Sequence, residues 1–156
     1  MPEPGTDEST DGRLLERAIA LAVEKHAGQS DKSGAPYILH PLRMMTRMKT
    51  AEAMMTAVLH DIVEDTDTSL DDLRREGFPE SVVSAVDALS RRDTESYEEF
   101  ATRAGTVPLA RQVKIADLED NMNLLRLGKD GLSEKDVDRL NRYLRAWSRL
   151  TKADDA

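Results

Sequence analysis

The sequence predicts a single all-α domain folded as a helical bundle, and three observations support this class. Apolar residues recur at the three- and four-residue spacing of amphipathic helices along most of the chain. Residues that start and stop helices punctuate this pattern at regular intervals. The sequence lacks a sustained alternation of apolar and β-branched residues with polar ones, which would indicate strands. A chain of 156 residues has the size of one ordinary domain, so we expect roughly six to eight helices without repeats.

The N-terminal part begins with a polar, acidic stretch. Residues 1–12 predict a solvated, disordered tail, and the domain is expected to span residues 13–152. From Leu14 onward, apolar residues repeat at helical spacing and predict a first helix that ends near His26. The turn-forming sequence GQSDKSGAP at residues 28–36 predicts a loop.

Boundary residues divide the remainder of the chain into helices. Proline is favoured in a first helical turn, Ser and Thr cap helix starts, and Gly follows helix ends. Helix starts are therefore expected at or near Pro41, Ala51, Ser69, Pro79, Tyr97, Pro108 and Ser133. The Met-rich third helix is expected to run to Val63, and the helix after Pro108 is expected to reach Leu124. Ser133 together with Asp136 is typical of a capping box.

Composition excludes several classes of function. The sequence contains no cysteine, which excludes disulfide frameworks, thiol nucleophiles and thiolate metal sites. The net charge of −8 argues against binding a nucleic-acid polymer, which requires a basic face along many phosphates. A small phosphorylated ligand remains compatible, because one divalent ion and a few lysines reverse the potential locally. We expect a cytoplasmic protein, since the sequence has neither a signal peptide nor an apolar run of membrane-spanning length.

The segment AVLHDIVEDT contains the densest group of candidate functional side chains. His60 and Asp61 are followed by Glu64 and Asp65 within one predicted helix. Residues four apart are neighbours on a helix, so Asp65 is expected to lie over Asp61 and Glu64 over His60. Stacked acids repel each other, and a bound divalent cation would turn that repulsion into attraction. The alternative is a solvated acidic helix end, because exposed charge is common.

Two further residues could complete a metal site. His40 closes the segment PYILHP before a helix-opening proline, which holds the imidazole on a rigid turn. A histidine that caps the helix or packs under the loop is the alternative. Asp117 follows two apolar residues on a helix expected to be partly buried, and a buried carboxylate needs a cation or several donors. A salt bridge to Lys114 or to an arginine is the alternative.

Five motifs together point to one family. In chain order they are HAGQ at 26–29, KSG at 32–34, PYILHP at 36–41, LHDIVEDT at 59–66 and KIADLEDNM at 114–122. Five motifs in a fixed order are a far more specific signal than any one of them. Over about residues 13–127 the sequence resembles the hydrolase domain of the RelA/SpoT-type guanosine polyphosphate enzymes, a metal-dependent phosphohydrolase domain of the HD type. It also resembles the small stand-alone hydrolases of that family.

The resemblance implies hydrolysis of a small nucleotide, most specifically removal of the 3′-pyrophosphate of ppGpp, the nucleotide of the stringent response. The implied ligands of one divalent ion, manganese above others, are His40, His60, Asp61 and Asp117. Two imidazoles and two carboxylates suit Mn²⁺, Fe²⁺ or Zn²⁺ better than Ca²⁺. Glu64 and Asp65 would position and activate the attacking water, with Lys32 and Asn121 near the nucleotide. The alternatives are an HD phosphohydrolase for another nucleotide or phosphoester, and a catalytically silent module that senses nucleotides.

Several features depart from that family's pattern. Asp31 stands where these hydrolases usually carry an arginine associated with the guanine base, so Asp31→Arg is expected to improve the use of guanine substrates. Leu118, Glu119 and Asp120 replace an Arg-Leu-His run. The synthetase domain of the long family members has no counterpart in this sequence. His26 belongs to a motif but is expected to be structural rather than a metal ligand.

Overall fold

The computed structural model describes residues 8–128 and 130–152, which form nine α-helices and one short 3-10 helix. The α-helices are α1 (Glu8–Lys25), α2 (Leu39–Thr46), α3 (Ala51–Leu59), α4 (Ile62–Asp65), α5 (Leu70–Arg75), α6 (Glu80–Ala88), α7 (Tyr97–Gly105), α8 (Pro108–Asn121) and α9 (Glu134–Lys152). Since α4 is a single turn, the eight longer helices agree with the predicted number. The all-α class is confirmed: in these two ranges the only extended pairing is one bridge between Ser30 and Pro36. None of the helices described is long and apolar enough to cross a membrane.

The first helix begins earlier than the sequence predicted. α1 starts at Glu8, so residues 8–12, which were assigned to the solvated tail, are helical. An acidic side chain such as that of Asp11 is favourable near the positive end of the helix dipole, which allows a polar stretch to open a helix. Residues 1–7 of the predicted tail lie outside the described residues.

The predicted third helix is interrupted at the HD pair. α3 ends at Leu59 rather than continuing to Val63, and Asp61 leaves the helical conformation with φ −102° and ψ 2°. The Ala57 carbonyl accepts a bond of 2.7 Å from His60 Nδ1, whereas the backbone N–H of His60 is 3.5 Å away. A side chain that competes for a backbone acceptor in this way loosens the helix. The expected stacking of Glu64 over His60 on one continuous helix was therefore wrong.

Side chains at the helix boundaries account for most of the other observed ends. Reciprocal capping boxes join Ser69 to Asp72, Ser96 to Glu99 and Ser133 to Asp136. The last of these confirms the box predicted for α9. α8 ends at Asn121 rather than Leu124, because the chain turns into the 3-10 helix Leu124–Arg126, whose start is capped by Asn123.

The central helix α3 determines where the functional side chains lie. It packs against α1, α2, α6 and α8, and most of its residues are buried, as expected for a helix that is apolar on all sides. Because α3 is enclosed, the residue that follows it, His60, is only 2% exposed. α2 and α8 flank α3 and contact each other, which brings His40 and Asp117 to the same end of α3.

Candidate metal centre

The four residues predicted to bind metal come together at the C-terminal end of α3. The ligand atoms of His40, His60 and Asp61 all lie within 4.8 Å of one another. Asp117 Oδ1 lies 3.0 Å from His40 Nε2 and 3.6 Å from His60 Nε2. His60 Nε2 is also 3.0 Å from Asp61 Oδ2. His40 of α2 thus meets His60 and Asp61 of the α3–α4 junction, and Asp117 of α8 adjoins this group through both imidazoles.

In both imidazoles, Nδ1 forms a hydrogen bond with an acceptor and so fixes the orientation of the ring. His40 Nδ1 donates to Asp120 Oδ2 at 2.5 Å, and His60 Nδ1 donates to the Ala57 carbonyl at 2.7 Å. A proton held on Nδ1 leaves the Nε2 lone pair facing the cluster, which is the arrangement of histidines that ligate metals.

Asp120 is a part of this site that sequence reasoning missed. It is 9% exposed and is held by Arg43 at 2.9 and 3.1 Å and by Arg126 at 2.7 Å. Burial would raise the pKa of Asp120, but the hydrogen bonds from His40 and Arg43 lower it below its usual range. The carboxylate is therefore ionised and orients the His40 ring. In the sequence this residue was visible only as a departure from the family pattern.

The two aspartates of the cluster have further partners. Tyr37 donates its hydroxyl hydrogen to Asp61 Oδ2; this tyrosine stands in the PYILHP motif, but the sequence analysis assigned it no role. Lys114 Nζ donates to Asp117 Oδ2 at 2.9 Å, and Asn121 Nδ2 donates to Asp117 Oδ1 at 3.0 Å. The salt bridge considered as an alternative for Asp117 is thus present, and it coexists with the histidine contacts because the two oxygens face different neighbours.

The electrostatics of the cluster favour positive charge at its centre. Burial disfavours the charged imidazoles, but the surrounding carboxylates outweigh it and raise the pKa of His40 and His60. Burial likewise works against ionised Asp117, yet Lys114 and the two imidazoles hold its pKa well below the usual range. Protons on the imidazoles supply positive charge that a metal cation could replace.

The residues present fit a divalent metal ion. His60 Nε2 is buried and receives no hydrogen bond from any described residue, although two carboxylate oxygens lie near it. A buried, unpaired nitrogen is costly unless something else binds it. The donor set of two nitrogens and two carboxylates is that of borderline transition metals.

Two cavities adjoin the cluster. The first, which we call the loop cavity, has a volume of about 350 Å³ and is lined by His40 and Asp61 together with Lys32, Asp65, Arg126 and Arg139. The second, the bundle cavity, has a volume of about 230 Å³ and is lined by His60, Asp61, Glu64, Lys114, Asp117 and Arg142. Asn121 borders both. The predicted substrate residues Lys32 and Asn121 therefore share the loop cavity.

The acids Glu64 and Asp65 line different cavities beside the cluster, and together they also line another, shallower surface cavity with Arg91, Arg92 and Asp93. Asp65 faces the loop cavity and Glu64 the bundle cavity, where its carboxylate accepts a bond from the backbone N–H of Arg91. Burial and the nearby Asp61 raise the pKa of both acids.

Asp31 has a structural role in the loop at residues 28–36. Its Oδ1 accepts bonds from Ser33 N and Oγ and from Ala35 N at 2.7–3.0 Å. Its Oδ2 lies 3.4 Å from Arg126 Nη2. An arginine at position 31 would lose these bonds and meet the like charge of Arg126, which argues against the expected benefit of Asp31→Arg.

His26 lies apart from the cluster, as expected. Its Nδ1 is 2.8 Å from Gln29 Oε1, and its ring packs on Tyr37 with 4.9 Å between the centroids. It therefore supports the loop that carries Lys32.

Comparison with known proteins gives one family match, several relatives and a solved structure of the same fold. The chain is 37% identical over 141 residues to the GTP pyrophosphokinase of Streptomyces coelicolor, covering 82% of the chain and 16% of the relative. It is 31% identical over 123 residues to the guanosine-3′,5′-bis(diphosphate) 3′-pyrophosphohydrolase of Aquifex aeolicus, covering 71% of the chain and 18% of the relative. It is 36% identical over 155 residues to a probable guanosine-3′,5′-bis(diphosphate) 3′-pyrophosphohydrolase of Synechocystis, covering 90% of the chain and 20% of the relative. The chain thus spans a fifth or less of the length of these relatives.

The solved structure is that of a metazoan ortholog of SpoT, described as hydrolysing ppGpp. It superposes with a TM-score of 0.72 at 22% identity, covering 96% of this chain and 88% of that one, and so has the same fold. Residues 18–126 match the HD domain family. Because this match covers well over half of the sequence and includes all four clustered residues, the chain belongs to the HD domain family.

Proposed function

We propose that this protein is a metal-dependent phosphohydrolase that removes the 3′-pyrophosphate of ppGpp. The observation that carries the proposal is the largely buried group of His40, His60 and Asp61, joined by Asp117, beside two cavities that are lined by both cations and carboxylates. Support also comes from relatives named as 3′-pyrophosphohydrolases of guanosine-3′,5′-bis(diphosphate). Other relatives are named pyrophosphokinases, but the cluster suits attack by water rather than transfer between nucleotides.

His40, His60, Asp61 and Asp117 would hold one divalent ion, for which we propose Mn²⁺. When bound, such an ion polarises a phosphoryl oxygen and lowers the pKa of a coordinated water. Asp120 and the Ala57 carbonyl keep the two imidazoles in the ligating orientation.

The substrate would enter the loop cavity. Lys32, Arg126 and Arg139 provide positive charge there, and Asn121 reaches its inner wall. Burial is the main cause that lowers the pKa of Lys32, and Arg139 and Arg142 lower it further while Asp136 raises it. An anionic ligand relieves the mutual repulsion of these cations, so the cavity is suited to a diphosphate group.

Hydrolysis requires water to attack the phosphorus bound to the 3′ oxygen. The new P–O bond forms as the bond from phosphorus to the 3′ oxygen breaks, releasing pyrophosphate and a 3′-hydroxyl. A carboxylate in the loop cavity would accept a proton of the attacking water and pass it to the departing 3′ oxygen, and Asp65 lines that cavity. Glu64, which does not line the loop cavity, would fix the α4 turn through the N–H of Arg91.

The test is product release by purified, Mn²⁺-loaded protein supplied with ppGpp and with other nucleotides. Pyrophosphate should appear from ppGpp, and His60→Ala should abolish its release. If the protein binds ppGpp but does not hydrolyse it with any divalent metal tested, it would instead be a catalytically silent module that senses nucleotides.

A second candidate is the same chemistry on a different nucleotide or phosphoester. It is favoured by Asp31, which is occupied by loop hydrogen bonds and by Arg126 and offers no guanidinium to a base. Faster pyrophosphate or phosphate release from another compound of the panel would select this candidate.

A further inference from the structure

Helix α9 carries a row of arginines on one side. Arg139, Arg142, Arg145 and Arg149 are spaced three, three and four residues apart, so their side chains lie along one face. The chain as a whole has a net charge of −8. A concentrated strip of positive charge in an acidic protein is a local feature with its own electrostatic potential.

A third cavity, which we call the arginine cavity, lies between α7 and α9. Its volume is about 360 Å³, within the range of small-molecule sites. Its charged lining is four arginines and one glutamate: Arg91, Arg142, Arg145, Arg149 and Glu98. Its apolar lining includes Ala101, Ala146 and Leu150, all buried.

Most of the donors around this cavity are not used by the protein itself. Glu98 pairs with Arg149, which leaves three arginines without a carboxylate partner among the described residues. Arg142 lies over the Tyr97 ring at 4.8 Å, and the side chain of Arg91 donates only to the backbone carbonyl of Glu95. Arg145 makes no hydrogen bond or ion pair with any residue described. Elsewhere on the surface arginines are paired with acids, for instance Arg74 with Glu80.

The arginine cavity is separate from the metal cluster but adjoins its surroundings. None of the four clustered residues lines it. Arg91, Tyr97 and Arg142 line both the arginine cavity and the bundle cavity. A ligand in the arginine cavity would therefore contact the same Arg142 that borders the bundle cavity.

We propose that the arginine cavity is a second anion site, which binds a phosphorylated small molecule through a diphosphate group. Guanidinium groups bind phosphate oxygens in a fixed fork geometry, and the apolar wall beside them accommodates an uncharged portion of the ligand. This inference goes beyond the proposed function, because it concerns binding outside the cluster and requires neither metal nor turnover. Because Arg142 lines both cavities, a ligand in the arginine cavity would change how a ligand binds in the bundle cavity.

The experiment is calorimetric titration of the metal-free full-length chain with inorganic pyrophosphate and, in parallel, with GDP. Arg145→Ala removes a guanidinium that has no described partner, so it should leave the fold unchanged and weaken binding about tenfold, the loss expected for one charge-assisted contact. Lys135→Ala is the matched control, because it removes an exposed positive charge from α9 that does not line the cavity. Fluorescence of Trp147, the single tryptophan and next to Ala146, gives a second readout.

Lys32→Ala distinguishes this site from the loop cavity. We expect Lys32→Ala and Lys135→Ala to retain the Arg145-dependent binding. Tighter binding of GDP than of pyrophosphate would identify a nucleotide as the ligand, and equal binding would identify the diphosphate alone. The proposal is wrong if the unchanged protein binds neither probe, or if Arg145→Ala binds both as tightly as the unchanged protein does.

Discussion

Asp120 is expected to set the affinity of the cluster for metal without binding the metal itself. Its carboxylate holds His40 Nδ1 and is held in turn by Arg43 and Arg126. Removing such an orienting partner costs about 10- to 100-fold in metal affinity. We therefore predict this loss for Asp120→Ala in calorimetric titration with Mn²⁺.

Two variants control for that prediction. Asp120→Asn keeps an oxygen acceptor for His40 Nδ1 and should recover part of the affinity. Glu119→Gln alters the neighbouring acid, which pairs with Arg47 away from the cluster, and should bind Mn²⁺ as the unchanged protein does. Equal affinity in Asp120→Ala and the unchanged protein would remove the orienting role.

Glu64 and Asp65 are expected to differ in their contribution to catalysis. Asp65 shares the loop cavity with Lys32, whereas Glu64 does not line that cavity. Asp65→Asn should lower kcat by roughly 100-fold or more, the usual contribution of a positioned base, with metal still bound. Glu64→Gln should lower it less. Steady-state kinetics that rank the two amides in the reverse order would place the substrate in the bundle cavity.

At the residue scale, local signals predicted the clustered residues but not those that support them. His60 and Asp61 stand in a motif, His40 precedes a proline, and Asp117 lies on an apolar helix face. Asp120 acts through a contact with a residue 80 positions away, and Tyr37 through one 24 positions away. Neither contact leaves a pattern in the surrounding sequence, because each depends on how separate helices pack.

At the element scale, the loop at 28–36 should respond to Asp31 as a structural residue. Asp31→Arg removes the bonds to Ser33 and Ala35 and sets two like charges together at Arg126. We predict a raised KM for ppGpp with kcat little changed, because the loop carries Lys32 but no clustered residue. Asp31→Asn, which keeps an acceptor oxygen, should have a smaller effect. An unchanged KM in Asp31→Arg would show that the loop does not position Lys32.

The charge of Glu95, in the segment before α7, should make the stability of the protein depend on pH. Hydrogen bonds from Arg103 lower the pKa of Glu95 from 4.5 to about 2. Its folded-state pKa is lowered, so the stabilisation is fully present above pH 4.5 and is lost as pH falls toward 2. Glu95→Gln should therefore lower Tm at pH 7, with the difference from the unchanged protein disappearing near pH 2.

The control for Glu95 is Asp93→Asn, an exposed acid in the same segment. It should leave Tm nearly unchanged at both pH values. A Tm difference for Glu95→Gln that is the same at pH 7 and pH 2 would show that the charge of Glu95 is not the cause.

The sequence predicted the existence of every long helix but misplaced some ends. Starts marked by Ser69 or Ser133 were found because a cap is a local feature. The end of α3 was missed because the His60 side chain donates a hydrogen bond to the Ala57 carbonyl. The spacing of apolar residues carries no information about such a bond. The early start of α1 was missed because its acidic first turn also fits a solvated tail.

At the scale of the whole molecule, a bound metal should stabilise the bundle. Its proposed ligands come from α2, the end of α3 and α8, so the ion would link three separate segments. At a hundredfold excess over the dissociation constant the gain in unfolding free energy is about 2.7 kcal/mol. Tm should therefore rise with Mn²⁺, and His60→Ala should abolish the rise. His26→Ala is a control, because that histidine lies outside the cluster, and a rise that persists in His60→Ala would show that the ion binds elsewhere.

The distance along the chain between the clustered residues also bears on when the site can first exist. His40 and Asp117 are 77 positions apart, so a chain still being synthesised presents both histidines long before the second aspartate. Domains fold largely as units as they are made, from the N-terminus onward. Until α8 has been added, the histidines have neither Asp117 nor Asp120 beside them. We therefore expect tight capture of the proposed ion only by chains synthesised past α8, and a shortened product that stops before α8 should not compete for metal.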